Sequence, residues 1–96
     1  MHDQFRIQLL ACDPEKNHFR FYTIDAGRDL LDDLVVKFNY GRIGTRGTIK
    51  TKIAPNVQTA SKMIKACLRR RQSAPKRIGV AYQVQEKYDP DNWTKK

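Results

Sequence analysis

The chain has 96 residues, enough for one compact domain with a single core and too few for two. Its formal charge is +9 and unevenly placed: residues 1–33 carry −3, residues 34–85 carry +12 with no Asp or Glu, and residues 86–96 are balanced. No apolar run approaches the roughly 18 residues of a membrane span, and Met1-His2-Asp3-Gln4 lacks the basic and apolar regions of a signal peptide, so an intracellular protein with a polyanionic partner is expected and a membrane is not.

Phe5 to Cys12 alternates, with Phe5, Ile7, Leu9 and Ala11 on one side, and predicts a first strand. Asp13-Pro14-Glu15-Lys16-Asn17 predicts a turn, because proline after Asp presets the backbone for one. His18 to Asp25 then sets Phe19, Phe21 and Thr23 against His18, Arg20 and Tyr22, which completes a first hairpin. Ala26-Gly27-Arg28-Asp29 opens a polar loop that runs through the acidic pair Asp32-Asp33.

Leu34 to Tyr40 places Leu34, Val36, Phe38 and Tyr40 opposite Val35, Lys37 and Asn39, as in a strand with one buried and one wet face. After a glycine-rich turn, Thr48 to Ile53 opposes Ile49, Thr51 and Ile53 to Lys50 and Lys52. The two segments predict a second antiparallel hairpin whose outer face carries Lys37, Lys50 and Lys52. Asn56 is a suitable N-cap, and Ala60, Met63, Ile64, Cys67 and Leu68 recur at helical spacing, predicting a helix to about Arg71. Its other side, with Lys62, Lys65 and Arg69, reads as a solvated face, and Arg69-Arg70-Arg71 suits the C-terminal end of the helix dipole.

Gln72 to Lys76, with Pro75, reads as a loop, and Ile78 to Gln85 as a last strand or an extended segment over the sheet. The pattern therefore describes an α+β domain over residues 1–85, four to five antiparallel strands against one helix, followed by a polar tail over residues 86–96. In that tail, Trp93 is a packing anchor or simply exposed.

Little in the chain suits catalysis. The histidines are His2 near the terminus and His18 near a turn, Asp32-Asp33 reads as a solvated loop pair, and Cys12 and Cys67, expected as buried thiols, are too few for a zinc site. No enzymatic activity, metal or cofactor is expected. Tyr40-Gly41-Arg42-Ile43-Gly44-Thr45-Arg46-Gly47 is the informative segment, since a turn of this composition can present backbone and guanidinium groups to an anion. It is no Walker-type phosphate loop, because Gly47 leads into Thr48-Ile49 on a strand and no helix follows.

Together, Asp13-Pro14-x-x-Asn17-x-x-Arg20-Phe21-Tyr22, the turn from Tyr40 to Gly47, Ala60, Lys76 and Gly79-Val80-Ala81-Tyr82 resemble the WGR domain, a small module of DNA-dependent poly(ADP-ribose) polymerases and many bacterial proteins. The resemblance implies an antiparallel sheet against one helix, and DNA binding. In the polymerases the signature tryptophan packs on the terminal sugar at a DNA break, and the following arginine contacts the backbone or a neighbouring domain. Tyr40 stands at the tryptophan position here, and either stacks on a nucleotide or faces the core beside Phe38.

The expected function is non-catalytic binding of DNA, with RNA as an alternative, through Arg42, Arg46, Arg20, Asn17, Tyr40, Lys37, Lys50 and Lys52. Docking on an acidic protein surface or a partner enzyme is the second reading. A monomer is expected.

Overall fold

The computed structural model describes residues 2–73, 76 and 79–94. Strands β1 (His2–Asp13), β2 (His18–Arg28), β3 (Leu34–Arg42) and β4 (Thr48–Ala54), helix α1 (Val57–Gln72) and strand β5 (Gln83–Tyr88) follow one another, with a single 3-10 turn at Pro14–Lys16 between β1 and β2. The strands form one antiparallel sheet in the order β4-β3-β2-β1-β5, with α1 on one face, which gives the expected α+β class. Expected Pro75 and Ile78 lie outside the described residues.

Alternation decides which residues meet the helix. Phe5, Ile7, Leu9 and Ala11 from β1, Tyr22, Ile24 and Ala26 from β2, and Leu34, Val36 and Phe38 from β3 are buried on the helix side with Ala60 and Ile64 of α1. Met63, Cys67 and Leu68 pack at the edge of this core, so the apolar stripe read from the sequence is the stripe that binds the sheet. The helix starts where expected: Asn56 is in extended conformation and its Oδ1 accepts from Thr59 N at 2.8 Å.

Three expectations need correction. Strand β2 runs on to Arg28 where a loop was expected from Ala26; of its two faces, which the sequence left unassigned, that of Phe19, Phe21 and Thr23 points away from the helix. In β4 every residue but Ala54 is exposed, including Ile49 and, at 65%, Ile53. The register explains this: Ile49 faces Asn39 and Ile53 faces Val35, so they lie on the helix-free face of the edge strand, where among the described residues no second layer covers them. Cys12 is exposed for the same reason, having the opposite parity to Ala11, and both cysteines are free thiols.

The expected tail from residue 86 is part of the fold. It carries the second half of β5, and beyond it Trp93, 5% exposed, stacks on Phe5 with centroids 6.1 Å apart and planes at 4°. Asp89 fixes this segment, accepting from Trp93 N at 2.7 Å, Thr94 N at 3.2 Å and Thr94 Oγ1 at 2.7 Å. Ser61 of α1 donates to the Trp93 carbonyl at 2.5 Å. Val80 is buried ahead of the strand, which begins later than its alternation suggested.

Partial burial alone would raise the Asp89 carboxyl pKa, but the hydrogen bonds from Thr94 and Trp93 outweigh it and hold it below the ordinary 3.8. A depressed carboxylate pKa contributes stability that is complete above the unfolded-state value and is lost as pH falls through the folded-state value. Fluorescence of Trp93, the chain's single tryptophan, is therefore expected to report loosening of this segment only on acidification below 3.8. In urea titrations Trp93→Ala is expected to cost about 3–5 kcal/mol.

Candidate nucleic-acid interface

The two hairpin tips of β1–β2 and β3–β4 lie side by side, because β2 and β3 are neighbours and Arg20 pairs with Arg42. The first tip is built by the Asp13-to-Asn17 motif. Asp13 Oδ1 accepts from Glu15 N at 3.1 Å, and Asn17, left-handed at φ 51°, closes the turn by donating its N–H to the Pro14 carbonyl at 3.1 Å. Asparagine suits this position because its side chain tolerates the left-handed region.

The second tip is a β-turn from Arg42 to Thr45. The Arg42 carbonyl accepts from Thr45 N at 3.1 Å and Thr45 Oγ1 at 2.7 Å, and Gly44 supplies the positive φ (92°) at the third position. Gly47, at φ 72°, closes the neck: a Cβ there would run into the Tyr40 carbonyl and lie 2.7 Å from Phe21 Cζ. Gly41 faces it across the neck, with room for a Cβ only 2.7 Å from Gly47 Cα.

Arg42 joins the tips. Its Nη2 donates to Asn17 Oδ1 at 3.2 Å and its Nη1 to the Asn17 carbonyl at 3.4 Å, while the guanidinium carbon lies 5.4 Å from the Phe19 ring centroid. A guanidinium has five N–H donors, so most remain for a ligand. Ile43 N also donates to the Phe19 carbonyl at 3.0 Å. Two candidate residues of separate motifs, Asn17 and Arg42, thus form one clasp, and Phe19 is a contributor the sequence did not single out.

Arg20 is exposed on the strand directly opposite Arg42, and Arg46 is exposed at the tip; among the described residues neither has a carboxylate partner. Two arginines cross-strand from each other repel unless an anion lies between them.

Tyr40 is half-buried on the helix side, stacked on Tyr22 with centroids 5.2 Å apart and planes at 9°. Tyr22 is covered in turn by the Arg71 guanidinium, 4.4 Å from its centroid, at the end of α1. Burial, and next to it the Cys67 thiol, pushes the Tyr22 hydroxyl well above its ordinary value, so this ring is a neutral packing plate under Tyr40. Of the two roles open to Tyr40, packing against the core is observed.

The lysines do not share a face. Lys37 is cross-strand from Asp25 on the helix-free side, where Asp25 also pairs with Arg6 at 2.5 Å. Lys50 is cross-strand from Phe38 and Lys52 from Val36, which puts both on the helix side with Tyr40, Arg20 and Arg42. Lys50 and Lys52 share a face as their alternation in β4 predicts, but the β3–β4 register puts Lys37 on the other one.

A family model described as the WGR domain matches residues 5–74, which include both hairpins, the turn and α1. The chain belongs to the WGR domain family. No curated protein and no solved structure matches it. WGR domains are in general nucleic-acid-binding modules. Within this one, the matched span contains Asn17, Arg20, Tyr40, Arg42 and Arg46, and it ends before Gly79, whose carbonyl accepts from Lys16 Nζ at 3.2 Å.

The glycines are expected to rank by their surroundings. Gly44→Ala, with open space around its Cβ, should cost about 1 kcal/mol for the positive φ alone. Gly47→Ala should cost about 2–3 kcal/mol or more in thermal denaturation, because it adds the collision with the Tyr40 carbonyl.

Proposed function

We propose that this WGR domain is a non-catalytic module that grips the phosphate backbone of DNA between its two hairpin tips. The observation that supports this reading most is the arrangement of Arg42, held by Asn17, directly across from an exposed Arg20 that has no acidic partner among the described residues. Arg46 at the tip and Lys50 and Lys52 on the same sheet side extend the cationic surface.

The mechanism is electrostatic and positional. A phosphate between the two guanidinium groups removes their mutual repulsion and takes the free donors of Arg42, whose orientation is already fixed by Asn17, so little ordering cost falls on binding. Contacts of this kind fix a protein on the backbone without reading bases, so binding is expected to be indifferent to sequence. Tyr40, with Tyr22 behind one face of its ring, is a supported plate that an exposed sugar at a strand end could meet. Its role in the proposal is preference for ends and nicks over continuous duplex. No helix among the described residues is long and apolar enough to cross a membrane.

Fluorescence anisotropy with blunt, nicked and single-stranded DNA and with matching RNA tests the proposal. With about five phosphates neutralised, log K is expected to fall against log salt with a slope of roughly −4 to −5 on duplex DNA. Arg42→Ala should weaken binding about tenfold and reduce that slope by about one, and Arg20→Ala should act in the same direction. Lys37→Ala, on the other side of the sheet, should leave binding unchanged. A flat salt response, or binding to an acidic protein with none to nucleic acid at low salt, contradicts this reading in favour of protein docking.

A further inference from the structure

Leu30 is fully exposed and Leu31 is 82% exposed, in the loop Asp29-Leu30-Leu31-Asp32-Asp33 between β2 and β3. The loop is held in shape by its own hydrogen bonds. Asp29 Oδ1 accepts from Leu31 N and from Asp33 N, both at 2.9 Å, and the Asp29 carbonyl accepts from Asp32 N at 3.1 Å. Asp29 N donates to the Asp33 carbonyl at 3.0 Å, and Asp32 takes a positive φ of 64°. Two leucines outside the core are thus presented on a preformed loop among three carboxylates.

The surface that complements this loop is on the same chain. A cleft of about 680 Å³ lies between α1 and the β1–β5 edge, with buried Ile7 and Leu9 and partly exposed Leu68 among its lining. Lys65, Arg69 and Lys87 also line it, and no Asp or Glu is among its described lining residues. A bulge in β5 makes this composition possible. Val84 pairs with Leu9 and Glu86 with Gln8, so Gln85 is the extra residue and both Val84 and Lys87 turn toward the helix side. No residue of the 29–33 loop lines the cleft, so the two features do not meet within one chain.

We propose that the Asp29–Asp33 loop of one copy docks into the α1–β5 cleft of another, head to tail. The leucines meet Ile7, Leu9, Leu68 and Val84, and the carboxylates meet the cations Lys65, Arg69, Arg71 and Lys87. A nucleic-acid strand fits this cleft less well, because bases stack on aromatic faces and Tyr82 is the single aromatic among its described lining residues, whereas Ile7, Leu9, Leu68 and Val84 match two leucines. A head-to-tail contact uses different surfaces on its two sides, so each copy keeps one free loop and one free cleft, and association is open-ended. The contact is small, and free copies are expected to associate weakly, with a dissociation constant on the order of 0.1–1 mM that rises with salt.

Sedimentation velocity of the chain alone, without nucleic acid, tests this between about 0.05 and 1 mM at low salt. The expected result is a sedimentation coefficient that grows with concentration. Leu30→Ser with Leu31→Ser, and separately Lys65→Glu with Arg69→Glu, should each weaken self-association at least tenfold while circular dichroism stays unchanged, since these residues are outside the core. A 1:1 mixture of the two variants should form a heterodimer that grows no further, because one intact loop and one intact cleft remain. A parent chain that stays monomeric throughout, either variant associating as the parent does, or a mixture that stays monomeric overturns the proposal.

Discussion

The clasp between Arg42 and Asn17 is the interaction on which the arrangement of the site depends. It joins a left-handed asparagine at one hairpin tip to an arginine at the next, and does so with two hydrogen bonds and an aromatic plate, Phe19. The clasp has its geometry because the neck of the second turn is closed by Gly41 and Gly47, whose backbones approach too closely for side chains. The glycines of the signature turn are thus explained by packing and backbone angle, while the cations it carries are exposed and have no acidic partners among the described residues.

Behind the clasp, a stack of side chains links the turn to the helix. Tyr40 lies on Tyr22, and Tyr22 lies under Arg71, so the position occupied by a tryptophan in the family's signature is here braced from the core side. The C-terminal segment braces the opposite part of the core in a similar manner, with Trp93 on Phe5 and Asp89 holding the backbone that delivers it. Both stacks bring together residues far apart in sequence, and the sheet with one helix is closed by aromatic side chains at its two ends.

Local order was legible in the sequence because it is set by local chemistry. Asn56 as a helix cap, the stripe from Ala60 to Leu68, and the turn after Asp13 each follow from a residue type in its immediate context. What the sequence could not settle was pairing. The parity of β2 was visible, yet only the neighbour across the strand shows that Tyr22 and Ile24, and not Phe21 and Thr23, meet the helix. The same holds for the lysines: Lys37, Lys50 and Lys52 all alternate with apolar residues, but the β3–β4 register separates the first from the other two. For the site, the identity of Arg42 and Asn17 as candidates came from motif and resemblance, whereas their contact with each other is a tertiary fact. Trp93 was hidden by its polar neighbours, because one aromatic in a charged segment carries no period.

The central claim is that the two clasped tips form one phosphate-binding surface on the helix side of the sheet. Chemical-shift mapping by NMR, with a short blunt duplex added at low salt, measures this residue by residue. The account predicts that the largest amide shifts fall on Asn17, Arg20 and the Gly41–Gly47 turn, with Thr23, Lys37 and Asn39 on the other face little changed. Shifts centred on Thr23, Lys37 and Asn39 with a silent turn would contradict it.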